Sequence, residues 1–222
     1  MNLAIFDLDN TLLADDSDFL WGQFLVKRNW VDANYYESKN QFFYDQYKAG
    51  SLDINEFLQF SLKPLSEHNS KQLDELHKQF MSSEIIPLIS NKAKQLIKQH
   101  RDSGDYLLII TATNLFVTEP IANYLGMDDI IATIPEKLNG QYTGKVSGIP
   151  SFQEGKVKRL QQWLSAHPEL SLNHPSRQSF FYSDSINDLP LLEKVTHPIA
   201  VDPDDKLKQQ AITNNWKIIS LR

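Results

Sequence analysis

The chain has no cysteine. That excludes disulfides and thiol chemistry of every kind, and it suits a reducing compartment. Long apolar runs are missing as well, since no stretch approaches the ~20 residues needed to span a bilayer. The N-terminus lacks a basic lead and a cleavable apolar segment, because Asp7 and Asp9 interrupt it at once. There is no Lys/Arg-rich block, and a net charge of −6 argues against a nucleic-acid surface. Internal repeats and low-complexity segments are absent too. What remains is ordinary for a globular protein: 41% hydrophobic and 23% charged residues over 222 positions, enough for one α/β domain or a core with a smaller insert. The expectation is a soluble, cytoplasmic α/β protein that engages neither nucleic acid nor membrane. Its oligomeric state is not fixed by composition.

The organising stretch is Leu3 to Leu13. Leu3–Phe6 is an apolar run of the kind buried in a parallel sheet, and it ends in two aspartates, Asp7 and Asp9. Open α/β sheets place their ligands at the carboxyl ends of strands. Both carboxylates can face one site only if the chain leaves the strand at Asp7. Alone the pair is weak, because such residues often just initiate a turn.

Further along, Ser17 or Asp18 is placed to cap a helix carrying Phe19, Leu20, Trp21, Phe24 and Leu25. Three more helical patterns follow, stopped near Gly50, at Pro64 and after Phe80. Residues 19–60 hold 12 of the 24 aromatics, a density that implies a helical module with its own small core. Pro87 is placed to open the next helix, up to Ser103-Gly104. Tyr106–Ile110 reads as a second buried strand, ending in Thr111-Ala112-Thr113-Asn114. Ile130–Thr133 reads as a third, and Asn139-Gly140 as a two-residue hairpin within an exposed ribbon over 134–147. Lys156 opens a helix, and the stretch from His167 to Arg177 is irregular. The six histidines show no metal-ligand pairing; His167, His174 and His197 precede prolines and belong to loops. Ser179–Tyr182 forms a fourth strand before Ser183-Asp184-Ser185-Ile186-Asn187-Asp188, and Pro198–Val201 and Trp216–Ile219 complete the sheet. The alternation outside 15–85 predicts a doubly wound parallel sheet with right-handed crossovers.

Reactive groups thus gather at one sheet edge: Asp7 and Asp9, Thr111, Lys156, and Asp184 with Asp188. This set, in this order, resembles the four motifs of the haloacid dehalogenase superfamily of phosphohydrolases. The match extends over nearly the whole chain. Ser183 stands where the fourth motif commonly has glycine. The helical insert is similar to the cap of the phosphoserine-phosphatase-like subfamily, nearest a bacterial group often assigned as histidinol phosphatases. The implied fold is a Rossmann-like core, 1–14 and 86–222, with an inserted four-helix cap over 15–85.

The resemblance also implies roles. Asp7 would be the nucleophile, forming an aspartyl-phosphate. Mg²⁺ would be held by Asp7, the Asp9 backbone carbonyl and Asp184, with Asp188 reaching it through water or steadying its neighbours. The Asp9 side chain would protonate the leaving alkoxide and then deprotonate water. Thr111, Lys156 and the N–H groups around Leu8 and Ala112 would hold the phosphoryl oxygens. Asp16 sits where phosphoserine phosphatases carry an acid that reads the substrate amine, though it equally suits a solvated loop or cap. Trp21 and Phe24 either wall an imidazole or pack the cap. Histidinol phosphate, a small soluble metabolite, satisfies both features; phosphoserine satisfies one, and a lipid phosphate of the phosphatidylglycerophosphate type fits poorly. The rivals are a phosphotransferase and a catalytically dead phosphate-binding module.

Overall fold

The computed structural model describes residues 1–170, 172 and 177–222. Seven strands form one sheet: β1 Leu3–Phe6, β2 Tyr106–Asn114, β3 Asp129–Leu138, β4 Gln141–Ser147, β5 Ser179–Ser183, β6 His197–Val201 and β7 Lys217–Ile219. Their order is β4-β3-β2-β1-β5-β6-β7. All neighbours pair in parallel except β3 and β4. From β1 the chain builds outward through β2 and β3, then returns to β1's other edge with β5. The carboxyl end of β1 is therefore the switch point where such sheets open a crevice.

Helices cover both faces: α1 Ser17–Lys27, α2 Ala33–Ala49, α3 Ile54–Ser66, α4 Ser70–Phe80, α5 Asn91–Asp102, α6 Leu115–Leu125, α7 Glu154–Ala166, α8 Leu189–Leu192 and α9 Asp205–Thr213. The central strands are buried on both sides, so their residues divide by parity. Ala4, Phe6, Leu107 and Ile109 join one cluster, whereas Leu3, Ile5, Leu108 and Ile110 join the other. A fully buried side chain of this kind contributes about 1.5–3 kcal/mol.

The four inserted helices do not carry a separate core. Trp21, Phe24 and Leu25 of α1 and Leu73, Leu76 and Phe80 of α4 pack in the same cluster as Phe6 and Ile109 of the sheet. The aromatics of 19–60 divide: Trp21 and Phe24 join the sheet's cluster, whereas Tyr35, Tyr36, Phe42, Phe43, Phe57 and Phe60 pack on one another within α2 and α3. Local chemistry corrects three further expectations. Asp16, rather than Ser17 or Asp18, caps α1, accepting from the N–H groups of Asp18 and Phe19. Pro64 lies inside α3, which continues to Ser66. Pro87 occupies a short 3₁₀ turn, and Ser90 caps α5 by accepting from the Ala93 N–H.

The ribbon forms as expected: β3 and β4 are antiparallel, and Asn139 and Gly140 take φ of 52° and 81°, the left-handed pair a tight hairpin needs. Within the stretch expected to be irregular, Pro168–Leu170 is a 3₁₀ turn, while residues 171 and 173–176, His174 included, lie outside the described residues.

Candidate active site

The chain does leave the strand at Asp7. Leu8–Leu12 makes a single wide turn, closed where the Leu13 N–H donates to the Leu8 carbonyl at 3.0 Å. Asp9 is extended within it and Asn10 is left-handed at φ 53°. This shape turns Asp7 and Asp9 into one cavity, both of them buried.

The two carboxylates have different partners. Lys156 Nζ donates to Asp7 Oδ1 at 2.7 Å and to Asp188 Oδ2 at 2.8 Å. Asp9 instead accepts from the Ser17 N–H at 2.7 Å, from Thr113 Oγ1 at 2.8 Å and from Thr111 Oγ1 at 3.3 Å. Thr11 Oγ1 donates to Asp184 Oδ1 at 3.1 Å and lies 3.5 Å from Asp7 Oδ2. Ser183 Oγ donates to Asp188 Oδ2 at 2.7 Å and accepts from the Ser185 N–H. The Ser183 hydroxyl thus orients an acid of the site.

Lys156 reaches Asp7 because of how its loop is built. Gln153, at φ 47° and ψ −121°, precedes α7 in a conformation L-residues rarely adopt. A Cβ on Gly155 would stand 2.1 Å from the Pro150 carbonyl oxygen, so only glycine lets the loop close this tightly. Lys156 then enters the sheet edge from the first turn of α7, almost fully buried.

Negative charge exceeds positive at this edge. Burial pushes the Asp7 carboxyl up to about 7; Lys156 opposes the shift, and Asp188 and Asp9 reinforce it. Asp184 is raised by burial and then by Asp7 and Asp188. For Lys156 burial disfavours the charge, but Asp188 and Asp7 outweigh it and hold the ammonium firmly protonated. Two buried carboxylates, Asp7 and Asp188, share one lysine, with half-buried Asp184 beside them, and such hard oxygens could hold a divalent cation. No three acidic or histidine side chains form a closed cage among the described residues.

Helices α1, α2 and the start of α3 roof the cavity. Thr111, Ala112 and Thr113 line its floor with Asp7 and Asp9; Asp16, Asp18 and aromatic rings line its walls. Asp16 borders the cavity with one oxygen committed to capping α1. Trp21 does not border it. It is 2% exposed and packs against Phe24, His77, Phe80 and Phe116, so the alternative of an imidazole wall gives way to core packing.

Thr11, Thr113 and Arg222 went unassigned in the sequence. Arg222 donates to the carbonyls of Asn10 and Thr11, fastening the wide turn from the far end of the chain. Thr11 closes the first motif and Thr113 is a hydroxyl two residues beyond Thr111 on the same face of an ending strand, whereas nothing in the sequence marks Arg222.

A doubly wound sheet with paired aspartates after β1, a threonine after β2, a lysine opening α7 and acids after β5 defines one class of hydrolase. Residues 4–193 match the haloacid dehalogenase-like hydrolase family, and the chain belongs to it. It is 44% identical, over 100% of its length and 99% of the other's, to the histidinol-phosphatase of Neisseria meningitidis serogroup C (strain 8013). A Bordetella pertussis Tohama I protein of unknown function has the same fold at a TM-score of 0.93 and 41% identity, covering 100% of this chain and 99% of that one. A phosphoserine phosphatase in a phospho-aspartyl analogue form shares the fold at a TM-score of 0.70 and 18% identity, covering 100% and 93%. The chain is an enzyme of the hydrolase class.

Proposed function

We propose that the chain is a Mg²⁺-dependent phosphomonoester hydrolase of a small metabolite, acting through an aspartyl-phosphate on Asp7. The observation that carries this reading is the division of labour between two buried carboxylates in one cavity. Asp7 is bound to Lys156, and Asp9 to hydroxyls and a helix N–H. Unlike environments in one site are how paired carboxylates acquire separate roles.

Asp7 attacks phosphorus, and the ester oxygen departs with a proton from Asp9. Asp9, now a carboxylate, takes a proton from water as that water attacks the phosphoryl group, releasing phosphate and restoring Asp7. Thr111, Lys156 and the N–H groups of Leu8 and Ala112 hold the phosphoryl oxygens throughout. Asp7, Asp184 and the Asp9 carbonyl would hold Mg²⁺, with Asp188 behind them. Bound there, the ion neutralises the phosphate dianion beside an ionised nucleophile. Helices α1–α4 act as a cap, with α1, α2 and the start of α3 roofing the cavity that the metabolite enters.

Histidinol phosphate is the substrate we favour. The Neisseria relative carries that activity in its name over the full length of the match. Phosphoserine is the second reading, favoured by Asp16 at the cavity wall. Phosphate release from histidinol phosphate, phosphoserine, sugar phosphates and a glycerophosphate, with Mg²⁺ and with chelator, decides between them. Release confined to histidinol phosphate and abolished by chelator is expected. In Asp9→Asn, turnover should fall by about 10²–10⁴-fold while phosphate still binds by calorimetry. Unchanged turnover would remove Asp9 from the mechanism.

A further inference from the structure

Asp18 lines the cavity and has no task in that chemistry. Asp16 spends Oδ1 on the N–H groups of Asp18 and Phe19. Asp18, two residues on, caps nothing. Its carboxylate has no hydrogen-bond partner among the described residues, yet the residue is only 9% exposed and lines the cavity. Burial and the neighbouring Asp9 push it up to about 7. The positive end of α1 favours a charge at this position without supplying a bond. The carboxylate is open only to the cavity and unpaired there, and clefts are where such groups await a ligand.

The surroundings state what that ligand carries. Phe19, Phe43, Tyr44 and Phe57 wall the same space. Asn40 Nδ2 is spent on the Phe19 carbonyl at 2.9 Å, leaving its amide oxygen without a partner. A Cβ on Gly22 would meet that amide at 2.7 Å, so the bare helix of α1 is what lets Asn40 stand there. Acceptor oxygens and the negative faces of aromatic rings attract a cation bearing N–H groups. They repel phosphate, which leaves this end of the cavity to the alcohol half of the ester.

We propose that Asp18 is a specificity determinant, binding a protonated nitrogen on the leaving alcohol with the Asn40 amide oxygen as second acceptor. This rests on the phosphatase reading and narrows its substrate to a nitrogen-bearing alcohol phosphate. The test compares kcat/KM for histidinol phosphate and for 4-nitrophenyl phosphate, which carries no protonated nitrogen, in the wild type and Asp18→Asn. The preference for the amine-bearing ester should fall at least about tenfold, chiefly through KM, as for a lost contact to a charged group. Calorimetry with histidinol, the free amino alcohol, should show the same loss of binding. A preference retained within about twofold, or histidinol bound equally by both proteins, would overturn the assignment. If the wild type hydrolyses neither ester, the phosphatase reading fails, and histidinol binding alone decides Asp18.

Discussion

Ser183 holds the rear of the site through one hydroxyl. It donates to Asp188, which also receives Lys156, which in turn reaches Asp7. A buried carboxylate that loses a donor of this kind keeps its charge at a higher cost. The variant Ser183→Ala should therefore lose about 1 kcal/mol of stability by denaturant unfolding. Phosphate release should slow several-fold as well, because Lys156 would be drawn toward the less satisfied Asp188. A variant as stable and as fast as the wild type would show the hydroxyl to be idle. The same residue marks what a sequence can express. That Ser183 departs from glycine was visible, but not that its hydroxyl has an acid to serve five positions on.

Elements differ in how openly they announce themselves. The buried strands were legible because an apolar run such as Leu107–Ile110 has few other uses, and Asn139-Gly140 because left-handed pairs are rare. Asp7, Asp9, Thr111, Lys156 and Asp184 were legible as strand-end or helix-start residues, and the fold gathers them at one edge. What escaped depends on contacts far apart in sequence. Arg222 fastening the wide turn is one example, and the shared core of α1, α4 and the sheet is another. Trp21 was ambiguous for that reason: helical spacing says which face is apolar, not what covers it. Gly155 is the element-scale feature most open to test. Gly155→Ala places a methyl against the Pro150 carbonyl, which belongs to backbone and cannot swing aside. Stability should drop by more than about 2 kcal/mol, and activity should fall beyond that because α7 can no longer present Lys156. Retained Tm and turnover would mean that the loop re-forms without cost.

Across the whole molecule, acidic surplus in one cavity ties stability to pH and to metal. Asp7 and Asp18 are each raised from the ordinary 3.8 to about 7, and Asp16 and Asp184 move the same way. Between those limits the folded chain keeps protons that the unfolded chain has shed. Stability from these groups is therefore full below 3.8 and is lost as pH rises toward 7. Each such carboxyl forfeits on the order of 1.4 kcal/mol at most for every pH step of one across that window. His77 works the other way. Burial lowers its pKa from 6.5 despite the opposing hydrogen bond to the Val117 carbonyl, and it costs stability as pH falls below that value. In chelator the protein should thus be less stable at pH 8 than near pH 6. A cation bound by Asp7 and Asp184 replaces the protons these carboxylates otherwise retain. Mg²⁺ at a hundred times its Kd should add about 2.7 kcal/mol, and its effect should shrink as protons compete toward pH 5.5. Thermal unfolding with Mg²⁺ and with chelator at both ends of that range reads this directly. A Tm gain that grows toward acid would place the ion somewhere other than on these carboxylates.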